Sequence, residues 1–244
     1  MTTLADLIND LVIANRILAN EGVVDAFGHI SVRHPVHANR YILSVSRSPE
    51  LVEHGDMREF ALDGTMLGDG GGQPYLERHI HGAIYEAVPE ISAVIHSHAI
   101  DVLPFSVSSV PLRPVLMLAS HGGAEIPVWD MADRFGDTTI LVTDMAKGRD
   151  LAGRFAGHRV VLMRGHGFTA AGRSLMEVVR IAIYTPINAR VLLQALSLGG
   201  AVTYLSEGEL QAREALGPGG TNVGIRRSWE YWARRAKCDD LLKA

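Results

Sequence analysis

The stretch AVIHSHAID, residues 93–101, places two histidines, His96 and His98, at the end of an apolar run. Side chains alternate between the two faces of a β-strand, so both imidazoles point the same way, about 6–7 Å apart along the strand. Two imidazoles on one face can bind the same small cation when neighbouring elements supply further ligands. The pair alone is a weak signal, because a histidine is more often a hydrogen-bonded core or surface residue.

Other side chains in the chain can complete such a site. His166 lies in MRGHGF directly after an apolar segment, and Glu77 precedes His81 by four positions in YLERHIHGAIYEA. A spacing of four puts two side chains on one face of a helix. Three imidazole nitrogens and one carboxylate oxygen suit Zn²⁺ or Mn²⁺. The pattern therefore predicts a metal site made by His96, His98, His166 and Glu77.

Hydrophobic periodicity predicts the elements that must position these residues. Helical spacing of apolar residues indicates a helix over 4–20, and HISVR, YILSV, ISAVIH and RVVLM have the pattern of strands. We also predict a helix through YLERHIHGAIYEA, a strand at 112–118, a helix near 143–156 and a long helix over 174–197. Strands that alternate with helices favour a single α/β domain with a central sheet.

Composition limits the possible partners and locations. The chain has 244 residues, and its net charge of −4 comes without a basic block. Nucleic acids and anionic membranes are therefore not expected as partners. The single cysteine, Cys238, fits a reducing compartment, and the N-terminal stretch lacks the basic start of a signal peptide. We expect a cytoplasmic protein.

FGHISVR, YLERHIHGAIYEAVPEISAVIHSHA and MRGHGF, in this order, resemble the class II aldolase/adducin family over roughly residues 4–200. The resemblance implies an α/β single domain with a central, largely antiparallel β-sheet flanked by helices. It also implies a homotetramer with active sites at subunit interfaces. The divalent metal, Mn²⁺ or alternatively Zn²⁺, would be held by His96, His98 and His166, with Glu77 as the acid/base glutamate.

Departures from the family pattern bear on the substrate. The sugar-phosphate aldolases have Gly-Asn after the first helix and a Ser-Ser pair before the glutamate, whereas this chain has His29 after Gly28 and the pair Tyr75 and Leu76. A large aromatic and an aliphatic side chain cannot offer a phosphate the hydroxyls of the serines. The chain instead adds arginines, whose planar guanidinium groups match carboxylates.

The chain is most similar to the branch that decarboxylates hydroxylated aromatic dicarboxylates, such as 3-hydroxy-2-methylpyridine-4,5-dicarboxylate or 3,4-dihydroxyphthalate. The similarity implies a metal-dependent carboxy-lyase with an enolate-type intermediate. Glu77 and His81 are the candidate proton donors. The candidate substrate contacts are His29, Arg47, Arg78 and Tyr75.

Two other functions stay open on the sequence. One is a metal-dependent aldolase or epimerase acting on a hydroxy-keto or sugar-like substrate without phosphate. The other is a non-catalytic scaffold like the adducin head. The presence of the three histidines and the glutamate argues against the scaffold, because a non-catalytic protein does not need a metal site.

We divide the chain into a catalytic domain over 1–214 and a tail over 215–244. The aromatic and basic segment RRSWEYWARR in the tail suggests docking on a neighbouring subunit. His121, in ASHGGAEIP, is a further candidate for substrate contact, because this loop often approaches the site in the family.

Overall fold

The computed structural model describes residues 3–217 and 222–242. An eight-stranded sheet lies at its centre. Its strands are β1 His29–Arg33, β2 Arg40–Ser44, β3 Met57–Ala61, β4 Met66–Leu67, β5 Ala93–Ser97, β6 Val128–Trp129, β7 Val160–Met163 and β8 Gly167–Gly172. The helices are α1 Leu4–Asn20, α2 His79–Ala87, α3 Leu103–Ser106, α4 Ala132–Phe135, α5 Met145–Ala152, α6 Leu175–Ser197, α7 Glu207–Glu214 and α8 Asn222–Arg235.

The strand order is β4-β3-β2-β1-β5-β8-β7-β6. Every neighbouring pair is antiparallel except β6 and β7, which run parallel. The predicted fold class, an α/β single domain with a largely antiparallel sheet flanked by helices, is confirmed. The central strands β1, β5 and β8 carry or border the histidines of the predicted site.

Each face of the sheet packs against its own helices. One face contributes Ile30, Ile95 and Phe168 to a core shared with α1, α6 and α8. The opposite face contributes residues such as Val94 and Val161 to a second core with α2 and α5. The alternation of side chains in β5 therefore places His96 on the α2 face, together with Val94.

The tail after residue 214 packs against its own chain. Trp229 and Trp232 of α8 are each 5% exposed and belong to the core cluster with α1 and α6. These two side chains therefore pack in the core of their own chain, whereas Tyr231 on the same helix is exposed. Docking of the tail on a neighbouring subunit stays a prediction. Residues 218–221 of the tail lie outside the described residues.

Two local predictions of secondary structure are wrong. The segment at 112–118 is not a strand. The side chain of Asn188 on α6 takes the place of a strand partner, because its Oδ1 accepts the N–H groups of Val115 and Leu116 and its Nδ2 donates to the carbonyl of Arg113. A 3₁₀ turn, Met117–Gly122, follows.

The helix predicted through YLERHIHGAIYEA begins only at His79. Residues Leu76–Arg78 form a separate 3₁₀ turn, in which Glu77 has non-helical backbone angles, φ −92° and ψ 18°. The predicted helical face shared by Glu77 and His81 is therefore absent.

Across the described part of the chain, no helix is long and apolar enough to cross a membrane. The cytoplasmic location stays a prediction.

Candidate metal centre and substrate cavity

Three imidazole nitrogens converge at one end of the sheet. The Nε2 atom of His98 lies 3.0 Å from Nε2 of His96 and 3.0 Å from Nε2 of His166. The Oε2 atom of Glu77 lies 3.5 Å from Nε2 of His96 and 3.4 Å from Nε2 of His166. The four predicted ligands are thus within 4.8 Å of one another.

Strand ends position the three imidazoles. His96 is the fourth residue of β5, and His98 lies one residue beyond the end of that strand. His166 lies in the tight turn between β7 and β8, and Gly167 opens β8 with a φ of +152°. A Cβ atom at Gly167 would collide with the carbonyl of Ser97. Only glycine therefore allows the turn to approach β5 closely enough for His166 to reach the cluster.

Glu77 is clamped at both carboxylate oxygens. Its Oε1 accepts the N–H of Val142 at 2.9 Å, and its Oε2 faces the histidines. Burial acts to raise the pKa of Glu77, but hydrogen bonds and charge from His166 and His96 outweigh it and lower the pKa overall. Glu77 is therefore ionised at neutral pH, which suits a metal ligand or a base and does not suit the predicted proton donor.

The donor set fits a divalent cation. Nδ1 of His96 lies 3.2 Å from the carbonyl of Phe168, which assigns the proton to Nδ1 and directs the lone pair of Nε2 at the cluster. Burial, followed by the nearby His96 and His166, lowers the pKa of His98 to about 4. A neutral imidazole is the form that binds a metal. The residues that would hold the ion are the four predicted ones.

His81 does not face this cluster. It is fully buried, its Nε2 lies 2.6 Å from Nδ1 of His29, and its Nδ1 lies 2.7 Å from Oγ of Ser31. Ser31 in turn contacts the hydroxyl of Tyr85 at 2.8 Å. The helix that carries His81 begins after Glu77, so the two side chains point to different partners. His29 stands between His81 and the cluster, with its ring centroid 5.3 Å from that of His96.

A cavity of about 380 Å³ opens beside the cluster. Three of the predicted substrate contacts, His29, Arg47 and Tyr75, line it together with the candidate ligands Glu77 and His98. Its remaining walls are apolar or small, and they include Phe27, Leu76, Leu141, Gly28, Ser46 and Ser48.

The two predicted substrate arginines have different surroundings. Arg47 lines the cavity, and its guanidinium pairs with Asp56 at 2.8 Å, while its backbone carbonyl accepts a hydrogen bond from the hydroxyl of Tyr75. The guanidinium of Arg78 donates to the carbonyls of Gly64 and Tyr75, at 2.7 and 3.0 Å. Arg78 is absent from the cavity wall and holds the turn that carries Glu77. The predicted contact between Arg78 and substrate is therefore not supported by the geometry.

Sequence reasoning missed three residues that support the site. Ser31 lies two positions after His29 on a strand, so strand alternation could have placed both on one face. Tyr85 lies four positions after His81, which is the helical spacing that brings it beside the same serine. Val142 acts through its backbone N–H, and no sequence pattern indicates that.

Comparisons with known proteins agree with this geometry. The family described as the class II aldolase and adducin N-terminal domain matches residues 9–193 of the sequence. The chain belongs to this family. It is 34% identical to decarboxylase tropJ of Talaromyces stipitatus, with 92% of each sequence covered. It is 28% identical to 3,4-dihydroxyphthalate decarboxylase of a Terrabacter species, with 91% of this chain and 93% of that protein covered.

The fold matches as well. The crystal structure of an aldolase II superfamily protein from Pseudomonas syringae superposes with a TM-score of 0.78 and 19% identity, over 99% of this chain and 96% of that one. The predicted family is confirmed. The predicted enzyme class, a carboxy-lyase, is confirmed by relatives that are named decarboxylases.

We predict that the purified protein binds Mn²⁺ or Zn²⁺ at this centre. Loss of an outer hydrogen-bond partner of a metal ligand typically weakens metal binding 10–100-fold, so loss of a ligand itself should weaken it more than about 100-fold. His98→Ala and His166→Ala should therefore lose the metal, as measured by elemental analysis after metal loading and dialysis. The exposed His158 provides the control His158→Ala, which should keep it. Equal metal content in all variants would contradict the assignment.

Proposed function

We propose that the protein is a metal-dependent decarboxylase of a hydroxylated aromatic dicarboxylate, with a pyridine or benzene ring. The observation that carries the proposal is the convergence of three imidazoles and a carboxylate at the wall of a cavity that also holds Arg47. A divalent cation bound there would act as a Lewis acid and stabilise negative charge that develops on a substrate oxygen. We favour Mn²⁺ over Zn²⁺ on the resemblance to the decarboxylase branch.

The cavity walls suit a flat, anionic molecule. Phe27 and Leu76 are exposed large apolar side chains, 66% and 64% exposed, and they stand at the cavity with Leu141. Tyr75 lies against His29 with ring centroids 4.6 Å apart, so one wall is aromatic. The apolar surface can cover an aromatic ring and exclude water, while Arg47 binds a carboxylate.

Arg47 should bind the carboxylate that stays on the ring. Decarboxylation turns a carboxylate into neutral CO₂, so a cation that grips the departing group would oppose the reaction. The carbon–carbon bond to the departing carboxylate breaks, and its electron pair remains on the ring carbon. That carbon must receive a proton, and the product keeps the second carboxylate.

His29 is the best-placed proton donor. In the substrate-free protein, burial first and then the neighbouring His81 and His96 lower its pKa well below the usual value. A bound dicarboxylate adds negative charge beside the ring, which favours the imidazolium form. Nδ1–H of that imidazolium donates to Nε2 of His81, and its Nε2–H is left for the substrate.

His81 acts in this scheme as a positioning residue. When its Nε2 accepts from His29, its own proton lies on Nδ1 and is donated to Oγ of Ser31, which can donate to the hydroxyl of Tyr85. Burial lowers the pKa of His81 to about 3, which keeps the ring neutral and able to accept. The predicted catalytic role of His81 thereby becomes the orientation of His29.

A homotetramer with active sites at subunit interfaces remains part of the proposal. It is supported by the exposed Phe27 and Leu76, which lie at the same cavity, because exposed apolar patches mark surfaces that bind a partner.

Release of CO₂ tests the reaction type. The metal-loaded protein should release CO₂ from at least one member of a panel of hydroxylated pyridine and benzene dicarboxylates. Analogues without the ring hydroxyl should be inert, because no oxygen is then available to accept charge. Cleavage or epimerisation of a phosphate-free hydroxy-keto compound without CO₂ release would instead establish the aldolase or epimerase alternative. A metal-loaded protein inert in both assays would favour the scaffold.

The proton donor can be identified by kinetics. His29→Gln should lower kcat by about 10²–10⁴-fold, the usual contribution of a general acid, with a small change in KM. It should also remove the fall in activity as pH rises through the pKa of His29 in the complex. His81→Gln should lower kcat less, and it should shift the pH at which the activity falls. The exposed His54 provides the control His54→Gln, and an unchanged alkaline limb in His29→Gln would contradict the assignment.

The two arginines should respond differently to substitution. Arg47→Gln should raise KM by about tenfold or more, because a charge-assisted contact to the carboxylate is lost, with kcat less affected. Arg78→Gln should mainly lower the melting temperature, since it removes hydrogen bonds that hold the turn before α2. The exposed Arg154→Gln is the matched control. An unchanged KM in Arg47→Gln would exclude its binding role.

A further inference from the structure

A second cavity lies away from the metal centre. It has a volume of about 570 Å³ and is formed by the 3₁₀ turn Met117–Gly122 together with α6, α7 and α8. Three arginines line it, Arg180, Arg213 and Arg227, and in the described part of the chain no carboxylate does. It shares no lining residue with the cavity at the metal centre.

The main observation is that Arg180 is buried without an anionic partner in the described chain. Only 7% of this residue is exposed, and it forms no hydrogen bond or ion pair with any residue that the structure describes. Arg159 provides the contrast, because its guanidinium pairs with Glu177 at 2.6 Å. A buried cation without an anionic partner is costly, so proteins retain one where it has a use.

The surroundings of Arg180 are electropositive. The Nε atom of Arg213 is also buried without a partner, as are Oγ of Ser120 and Nε2 of His121 in the adjacent 3₁₀ turn. Burial and then the charges of Arg180, Arg159 and Arg213 lower the pKa of His121 to about 4. Nη1 of Arg180 and Nε of Arg213 have no acceptor in the described chain, and an anion is the ligand that would satisfy these N–H groups.

The cavity also has apolar and aromatic lining residues, and the guanidinium carbon of Arg180 lies 6.0 Å from the ring centroid of Tyr184. Tyr184 and Trp232 line it with ring centroids 6.0 Å apart, and Leu118 and Leu216 lie beside them. A small inorganic anion would contact only the arginines. A planar organic acid would use both, because its carboxylate matches the guanidinium fork and its ring contacts the aromatic side chains.

We propose that this cavity is a second binding site, for a planar aromatic carboxylate held by Arg180 and Arg213. The site does not rest on the decarboxylase activity, because none of its residues lines the metal-side cavity. His121, a candidate for substrate contact on the sequence, lines neither this cavity nor the one at the candidate metal centre; it lines a separate cavity with Arg159 and Glu177.

Calorimetric titration of the metal-loaded protein with phthalate tests the proposal. A binding event should be present that Arg47→Gln leaves unchanged and that Arg180→Met weakens by at least about tenfold, the usual effect of losing a charge-assisted bidentate contact. Arg180→Lys should restore part of the affinity. Arg226→Gln, an exposed arginine of α8 outside the cavity, should bind as the wild type does.

Arg213→Gln provides a second variant should Arg180→Met fail to fold, since α7 contributes no buried residue. Phthalate binding that survives both the Arg180 and the Arg213 substitutions overturns the site. Tighter binding of inorganic phosphate than of phthalate overturns the aromatic class.

Two further measurements keep this site apart from the proposed function. Metal content and CO₂ release of the same variants report on the metal centre alone. Sedimentation of Arg180→Met reports on the oligomeric state. If this variant changes the oligomeric state and the wild type binds no phthalate, the arginines bind acidic groups of a second copy and the proposal is overturned.

Discussion

Three converging imidazole nitrogens, with Nε2 of His98 3.0 Å from Nε2 of both His96 and His166, form the constraint on which the rest of the structure depends. Each neutral imidazole whose Nδ1 carries the proton directs a lone pair from Nε2, and lone pairs at this distance repel one another unless a cation lies between them. His96 is fixed in this tautomer by the carbonyl of Phe168. The ionised Glu77 beside the histidines adds a negative charge that only a cation can balance.

The fold produces this arrangement at the ends of three neighbouring antiparallel strands, β1, β5 and β8. β5 lies between β1 and β8, so His29, His96 and the turn that carries His166 meet at one end of the sheet. Gly167 allows the close approach of the turn, and α2 inserts His81 behind His29. The histidines of the cluster thus lie at or next to strand ends, whereas Arg47 and Tyr75 lie in loops.

The sequence was sufficient for the family, the fold class and the clustering of Glu77 with the three histidines, because strand alternation and the His-x-His and Gly-His-Gly patterns are local signals. It was insufficient where backbone detail decides the outcome. Glu77 and His81 have helical spacing, yet the chain breaks between them and sends the two side chains to different partners. Arg78 is equivalent to Arg47 in charge, but backbone carbonyls of a turn bind it. The strand expected at 112–118 is replaced by contacts to one asparagine on α6 that is about seventy residues away along the chain.

Diffraction at the manganese and zinc absorption edges, from crystals grown with either salt, tests the central claim most directly. We predict a single anomalous peak about 2.0–2.2 Å from Nε2 of each of the three histidines, with an oxygen of Glu77 beside it. Imidazoles that turn away from one another around ordinary solvent, with no anomalous signal at either edge, would contradict the metal centre and the chemistry proposed from it.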